Sequence, residues 1–314
     1  MALMCVGVFA LGGCGARAFL HLDRRVLWDD LRVVLGGGGN STVLLHGSDA
    51  LVIDPKMLGY TQRLRDEVER DLGRRVRRLI LTHAHYDHAG GATDFAWAGA
   101  VLVHPNTRAR LLANDQGPCD REAPPAPRTR DAFRRSEPVI FDPPHGALLP
   151  VCALPFVEVT SEVRLWLGGE EVQVMNLGSG HTDGDLVAYF PDRKLLVAGD
   201  LVMNGFRPHI DESSGGSLLH LADTLDRLLG LPFEKVVPGH GDLGGRDVVE
   251  RQRRYLRALE EDVKRAIAAG APSEDAVVGE VKLREEFEDL PPIPGDPFEK
   301  DVRRMYRELH ERGD

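Results

Sequence analysis

Leu79-Ile80-Leu81-Thr82-His83-Ala84-His85-Tyr86-Asp87-His88 runs from an apolar stretch straight into three histidines and an aspartate. The apolar run predicts a buried strand, so the polar residues stand at its end. In an extended segment His83 and His85 point to the same side. Asp87 and His88 follow, where Gly90-Gly91 lets the chain turn. Imidazole nitrogens packed beside a carboxylate suit zinc or a similar metal. One loop can then serve two metals, His83/His85 on one and Asp87/His88 on the other. The chain has 12 histidines among 314 residues, so chance rarely sets three within six positions.

The pattern repeats downstream. Gly180-His181-Thr182-Asp183-Gly184-Asp185, Ala198-Gly199-Asp200 and Pro238-Gly239-His240-Gly241 each set a ligand-type residue beside glycine. Each follows an apolar run, at 172–177, 195–198 and 235–237. Strand, ligand and turn in repetition gather the ligands at one sheet edge. Upstream, Leu51-Val52-Ile53-Asp54-Pro55 is another strand with a carboxylate at its end.

In that order Asp54, the HxHxDH stretch, His181, Asp200 and His240 resemble the metallo-β-lactamase superfamily, over most of residues 28–245. The resemblance implies an α+β fold, a four-layer αββα sandwich with metals at the top edge of its sheets. It implies that His83, His85 and His181 hold the first metal and that Asp87, His88 and His240 hold the second. Asp200 bridges them, and a hydroxide completes the bridge as nucleophile. Asp87 and Asp200 are the expected catalytic carboxylates. These side chains are too many for one tetrahedral zinc. The expected cofactor is therefore two Zn2+, although His/Asp ligands also suit iron or manganese. Asp54 would lie behind the metal loop and orient a ligand by hydrogen bonding.

The expected function is a dizinc hydrolase of an ester, thioester or lactone bond in a small molecule. The alternatives are a glyoxalase II-like thioesterase, a weak β-lactamase, or a mononuclear-iron oxidoreductase of the persulfide dioxygenase type. Lactamases with a cysteine ligand carry it where this chain has Asp200, and a lysine for the drug carboxylate three positions later. Here that place is Met203; Arg207 could compensate if it reaches the site. Glyoxalase II-like enzymes hold glutathione with basic C-terminal residues. Arg251, Arg253, Arg254 and Arg257 are candidates, but on an amphipathic helix they also describe a solvated face. The stretches around His181 and Asp200 look more like uncharacterised secreted hydrolases and quinoprotein-associated zinc hydrolases. A flavodiiron protein would need a flavodoxin domain, and residues 246–314 are too few and too helical. A binding module that had lost activity would have lost ligands, and here the set is full.

A net charge of −10 excludes the basic footprint of a nucleic-acid binder. Hydrophobic content of 42% with 28% charged residues fits a globular chain rather than a disordered one. Residues 1–13 are apolar and uncharged, and Leu11-Gly12-Gly13-Cys14 resembles a bacterial lipobox. The run is too short to span a bilayer as a helix. Residues 1–13 are thus expected to be a lipoprotein signal peptide, without the usual positive n-region. Cys14 would be lipidated and the mature protein attached to a membrane, in the periplasm or as an outer-membrane lipoprotein. A spurious lipobox would leave it cytoplasmic. Cys119 and Cys152 then remain, as a disulfide in an oxidising compartment or as two free thiols.

The main domain is expected over 14–245, with glycines 36–39 as a tight connection and helices over 61–72, 89–98 and 218–229. A proline-rich insertion at about 117–150 either covers the active site or is a surface excursion. A helical extension follows at 246–314. In it Val249, Leu256, Leu259, Val263 and Ile267 mark one amphipathic helix. Asp296-Pro297-Phe298-Glu299 reads as the capping box of another. His104, His145, His209 and His220 read as structural or surface residues, with His209 the one near the pocket.

Overall fold

The computed structural model describes residues 21–95, 98–114, 151–293 and 296–312. The lipobox with Cys14, the 117–150 insertion, Cys119 and His145 lie outside the described residues. Cys152 is disulfide-bonded, which removes the free-thiol alternative for that residue. Its partner also lies outside the described residues.

Two sheets carry the fold. The first contains β1 (Asp23–Trp28), β2 (Leu31–Leu35), β3 (Ser41–His46), β4 (Asp49–Ile53), β5 (Arg75–Ile80), β6 (Ala100–Val103) and β7 (Phe156–Glu158), in that spatial order. The second contains β8 (Glu162–Leu167), β9 (Glu170–Met175), β10 (Val187–Phe190), β11 (Leu195–Met203) and β12 (Lys235–His240), ordered β12-β11-β10-β9-β8. Strands β4 to β7 pair in parallel, as do β11 and β12, and the other pairs are antiparallel.

Side-chain alternation explains the layers. Leu31, Val33, Leu44, Leu51 and Ile53 face inward and meet Val172, Val174, Ala188, Phe190 and Val197 of the second sheet. The intervening Val34, Val43 and Val52 face outward, onto Leu64, Val68 and Phe95. On the far side Val187, Tyr189 and Leu196 meet a helical layer. Strands buried on both faces have to be apolar throughout, which is why they read as continuous runs. The expected αββα sandwich is the observed architecture.

The helices are α1 (Thr61–Arg65), extended by a π-helical turn at Asp66–Asp71, α2 (Tyr86–Ala89) and α3 (Pro105–Asn114). Then come α4 (Leu218–Leu229), α5 (Arg246–Ala268), α6 (Glu274–Glu280) and α7 (Phe298–Arg312). The helix expected over 89–98 is broken: α2 stops at Ala89 and a 3-10 turn occupies Ala92–Phe95. Between them Gly91 N–H turns to the carbonyl of Lys56, and a side chain at Gly91 would overlap Thr61. Helix α4 opens on Ser217, whose hydroxyl caps the N–H of His220. The capping box expected at Asp296 is a different feature. Its carboxylate turns to Arg304, Lys300 and His209, because buried guanidinium and imidazole groups are stronger partners than a helix-end amide.

The C-terminal extension packs on the second sheet's helical layer. Val302, Met305 and Leu309 of α7 are buried with Tyr255 and Leu256 of α5 and Leu225 of α4. Each such side chain contributes roughly 1.5–3 kcal/mol, so three anchor α7 firmly. No helix among the described residues is long and apolar enough to cross a membrane.

Candidate metal centre

The ends of β4, β5 and β12 and the middle of β11 meet at one edge. There His83, His85, His181 and Asp200 place one ligand-type atom each within 4.8 Å of one another. Asp87, His88 and His240 form a second group by the same measure. All the side chains marked as ligands in the sequence are in these two clusters. Asp200 reaches both. Its Oδ2 lies 3.6 Å from His181 Nε2 and 3.5 Å from His240 Nε2, and its Oδ1 lies 3.0 Å from His88 Nε2.

The outward nitrogens fix what the inward ones can do. His181 Nδ1–H donates to the carbonyl of His209 at 2.8 Å. His85 Nε2–H donates to Asp211 Oδ2 at 2.8 Å. His88 Nδ1–H donates to Asp54 Oδ2 at 2.8 Å. Thr82 Oγ1 gives its own proton to Asp54 Oδ2, so it accepts from His83 Nδ1–H at 3.1 Å. In a neutral ring the other nitrogen is then a bare lone pair. His181 Nε2 and His85 Nδ1 face each other at 2.9 Å. His83 Nε2 is buried without a hydrogen-bond partner, and Asp200 Oδ1 faces His88 Nε2 at 3.0 Å. Converging lone pairs and carboxylates in a buried site call for a cation, so the residues fit the metal that the ligand set implies.

The electrostatics agree. Burial holds His83 well below the ordinary imidazole range and lowers His181 to about 3, so both are neutral ligands. For His240 burial is outweighed by Asp200 and Asp87, which raise it to about 9. For His88 burial is again overridden, by Asp200, Asp87 and Asp54. Burial also opposes charge on Asp87 and Asp200, but the imidazoles beside them hold both carboxylates below their usual range. Without metal the second cluster therefore takes up protons, one of them at His88 Nε2 facing Asp200 Oδ1. A bound cation would replace them.

The backbone around the cluster is shaped for it. Asp54 is buried with φ +55°, and its carboxylate also accepts from Thr82 N–H at 2.8 Å. Glycines 36 to 38 adopt positive φ, and the loop lies on the site: Gly39 N–H donates to the carbonyl of Asp87. A side chain at Gly39 would overlap the His88 ring, and one at Gly239 would overlap Asp200 Oδ1. Asn40 ties this loop to the carbonyls of Pro238 and Gly241, beside His240. Lys56 holds it from beneath. Its buried ammonium donates to the carbonyls of Val34, Gly36 and Gly39 at 2.6, 2.6 and 2.7 Å. Those three acceptors match its three protons, while burial lowers it to about 7.

Asp211, Thr82, Lys56 and Asn40 were not marked in the sequence. Asp211 lies two residues after His209, which the sequence sets near the pocket, and that was its only signal. The structure decides both readings of the neighbouring cations. Arg207 does not reach the site: it is buried, with Nη1 on Asp301 Oδ2 and Nη2 on the carbonyl of Asp296. Arg251, Arg253 and Arg257 pair with Asp289, Asp226 and Asp223, as a solvated helix face would. Met203 is itself buried, with its N–H on Gln252 Oε1.

A sandwich of this kind with a His/Asp centre at its edge defines a metal-binding fold whose site opens at the sheet ends. The metallo-beta-lactamase superfamily model matches residues 34–240, and the chain belongs to that superfamily. Human acyl-coenzyme A thioesterase MBLAC2 is 28% identical over 244 residues, covering 71% of this chain and 80% of that protein. A metallo-beta-lactamase type 2 of Bacillus sp. (strain 170) is 24% identical over 191 residues, covering 60% of this chain. The match spans 61% of that lactamase, less than two thirds of its length. Among solved structures, a metallo-beta-lactamase from Pontibacter korlensis superposes with TM-score 0.58 at 19% identity, over 76% of this chain and 99% of that one. That similarity shows the fold.

Proposed function

We propose that this chain uses two metals, zinc by its ligand set, to hydrolyse a thioester or a related ester-like bond in a small molecule. The observation that carries the reading is the convergence of two His/Asp clusters on Asp200. His83, His85 and His181 would hold one ion and Asp87, His88 and His240 the other, with Asp200 within reach of both. Bound there, zinc supplies Lewis acidity and a water whose pKa falls from ~15.7 toward ~7.

The chain's own residues set the stage for that chemistry. Asp54, Thr82, Asp211 and the carbonyl of His209 hold four imidazoles in the tautomer that aims a lone pair inward. His83, His88, His181 and Asp200 are buried, which keeps bulk water from screening the charges. Asp87 and His85 are part-exposed, so the opening lies on their side. Asp87 and Asp200 are the carboxylates within reach of a reacting water there.

A thioester is favoured over a lactam on two counts. The human relative is named as an acyl-coenzyme A thioesterase. Neither Met203 nor Arg207 offers a cation to a lactam carboxylate, a contact worth about 1.5–3 kcal/mol. Elemental analysis should give two zinc per chain. The kcat/KM for acyl-coenzyme A thioesters and simple esters should exceed that for a penicillin or a carbapenem. Lactam turnover near the ~10⁶ M⁻¹s⁻¹ of an efficient enzyme, or a single metal after full loading, would overturn the reading. Iron with oxygen consumption would replace it by the oxidoreductase alternative.

A further inference from the structure

The loop between β11 and α4 supplies the outward partners of two imidazoles in the first cluster. They are the carbonyl of His209 for His181 and the carboxylate of Asp211 for His85. This loop is itself held from the C-terminal side. Asp296 Oδ2 lies 3.1 Å from His209 Nδ1, on the ring of the residue whose carbonyl serves His181. Arg304 Nη1 grips both oxygens of Asp296 at 3.2 Å, and its Nε reaches Glu212 Oε1 at 3.3 Å, next to Asp211. At the far end of the loop, Glu308 accepts from the Ser217 hydroxyl and from the N–H groups of Leu218 and Leu219. Asp296 and Arg304 are both buried, so the ion pair between them works in a low-dielectric setting. The second cluster has a different support: His88 rests on Asp54, at the end of β4 in the other sheet.

We infer that helix α7 and the residues leading into it, through Asp296, are a positioning element for the His85–His181 half of the centre. They set how well that half holds its ion without touching either ligand. The carbonyl and carboxylate that fix the two tautomers can only do so if residues 209–211 keep their place. Asp296 and Arg304 are what keep it. The inference rests on the two-cluster reading above, and it makes the C-terminal extension part of the site rather than a separate appendage.

The test uses the full chain, stripped by chelation and titrated with cobalt(II) alone, followed by its ligand-field absorbance. One background carries His88→Gln and His240→Gln and keeps the first cluster. The other carries His83→Gln and His181→Gln and keeps the second. Asp296→Asn should weaken cobalt binding roughly tenfold in the first background and leave the second within about twofold, as removal of an outer hydrogen-bonding partner does. Equal weakening in both backgrounds would make α7 a general stabiliser and overturn the inference; so would no change in either. If Asp296→Asn does not fold, His209→Gln decides by the same criterion. It cuts the link from the loop side and leaves the carbonyl of residue 209 in place. A parent chain that takes up only one cobalt refutes the two-metal reading separately. The role of α7 is then decided by whether Asp296→Asn weakens that one cobalt.

Discussion

Asp54→Asn isolates the outer support of the second cluster. Asparagine tolerates the positive φ of +55° at this position, so the backbone stays as it is. Its amide oxygen can still accept from Thr82 N–H. Its NH2 must then face Thr82 Oγ1 and His88 Nδ1, which lie 2.7 and 2.8 Å from Asp54 Oδ2. His88 Nδ1–H now meets a donor. The ring escapes by moving its proton to Nε2, the nitrogen that faces His240 and Asp200. What is lost is a hydrogen bond to a charged group, worth about 1.5–3 kcal/mol. That is roughly ten- to a hundredfold in metal affinity at the Asp87/His88/His240 half. At fixed free metal, the stability that metal confers falls by about 1.4–2.7 kcal/mol. Competition against a chromophoric chelator reads the first number, and thermal melting with and without zinc reads the second. Wild-type affinity at every site, with an unchanged gain in Tm on adding zinc, would refute the tautomer argument.

Three further outcomes are expected. Asp200→Asn should cost at least roughly a hundredfold in turnover and one equivalent of metal; normal turnover with both metals retained would remove Asp200 from the centre. In chelator, stability should fall as pH climbs from 6.5 through about 9, because His240 and His88 both bind protons more tightly folded than unfolded, while Lys56, lowered to about 7, acts alone in the opposite direction. The contribution of the two imidazoles is full below the ordinary imidazole range and lost through the raised one. Denaturant melts across that window read it, and a flat or rising profile contradicts it. We also propose that the chain is lipidated at Cys14 and extracytoplasmic; an unmodified Met1 on the native product, seen by mass spectrometry, would refute it.

The strands and the ligand order were legible because both are local signals. Two-sided burial forces apolar runs such as 79–81 and 195–198. Glycine stands beside Asp200 and His240 because a side chain at Gly199 would overlap Thr82 and one at Gly239 would overlap Asp200 Oδ1. The supports were not legible, because they join distant residues. His85 and Asp211 are 126 positions apart, and no spacing rule links them. Lys56 sits two residues beyond Asp54 with nothing local to mark it as buried. Asp296 carried a helix-cap pattern that was sound locally and lost to Arg304 and His209. Short elements with weak periodicity, β1, β7, α3 and α6, also escaped. The 89–98 helix was overextended because its pattern ignored the close approach of Gly91 to Thr61.

His88 and His240 lie 152 positions apart, and Ser217 lies 91 positions before Glu308. At about 5–20 residues per second, His240 leaves the ribosome roughly 8–30 s after His88. The residues that steady His209 and Asp211 emerge later still. A nascent chain therefore offers metal only the His83–His88 segment, an open partial site from which an ion can leave again. The His85–His181 half has all its outer supports only once the C-terminal helix has docked. On the two-metal proposal, chain order would then act as a clock on metal capture, with firm retention waiting on the last supports to arrive.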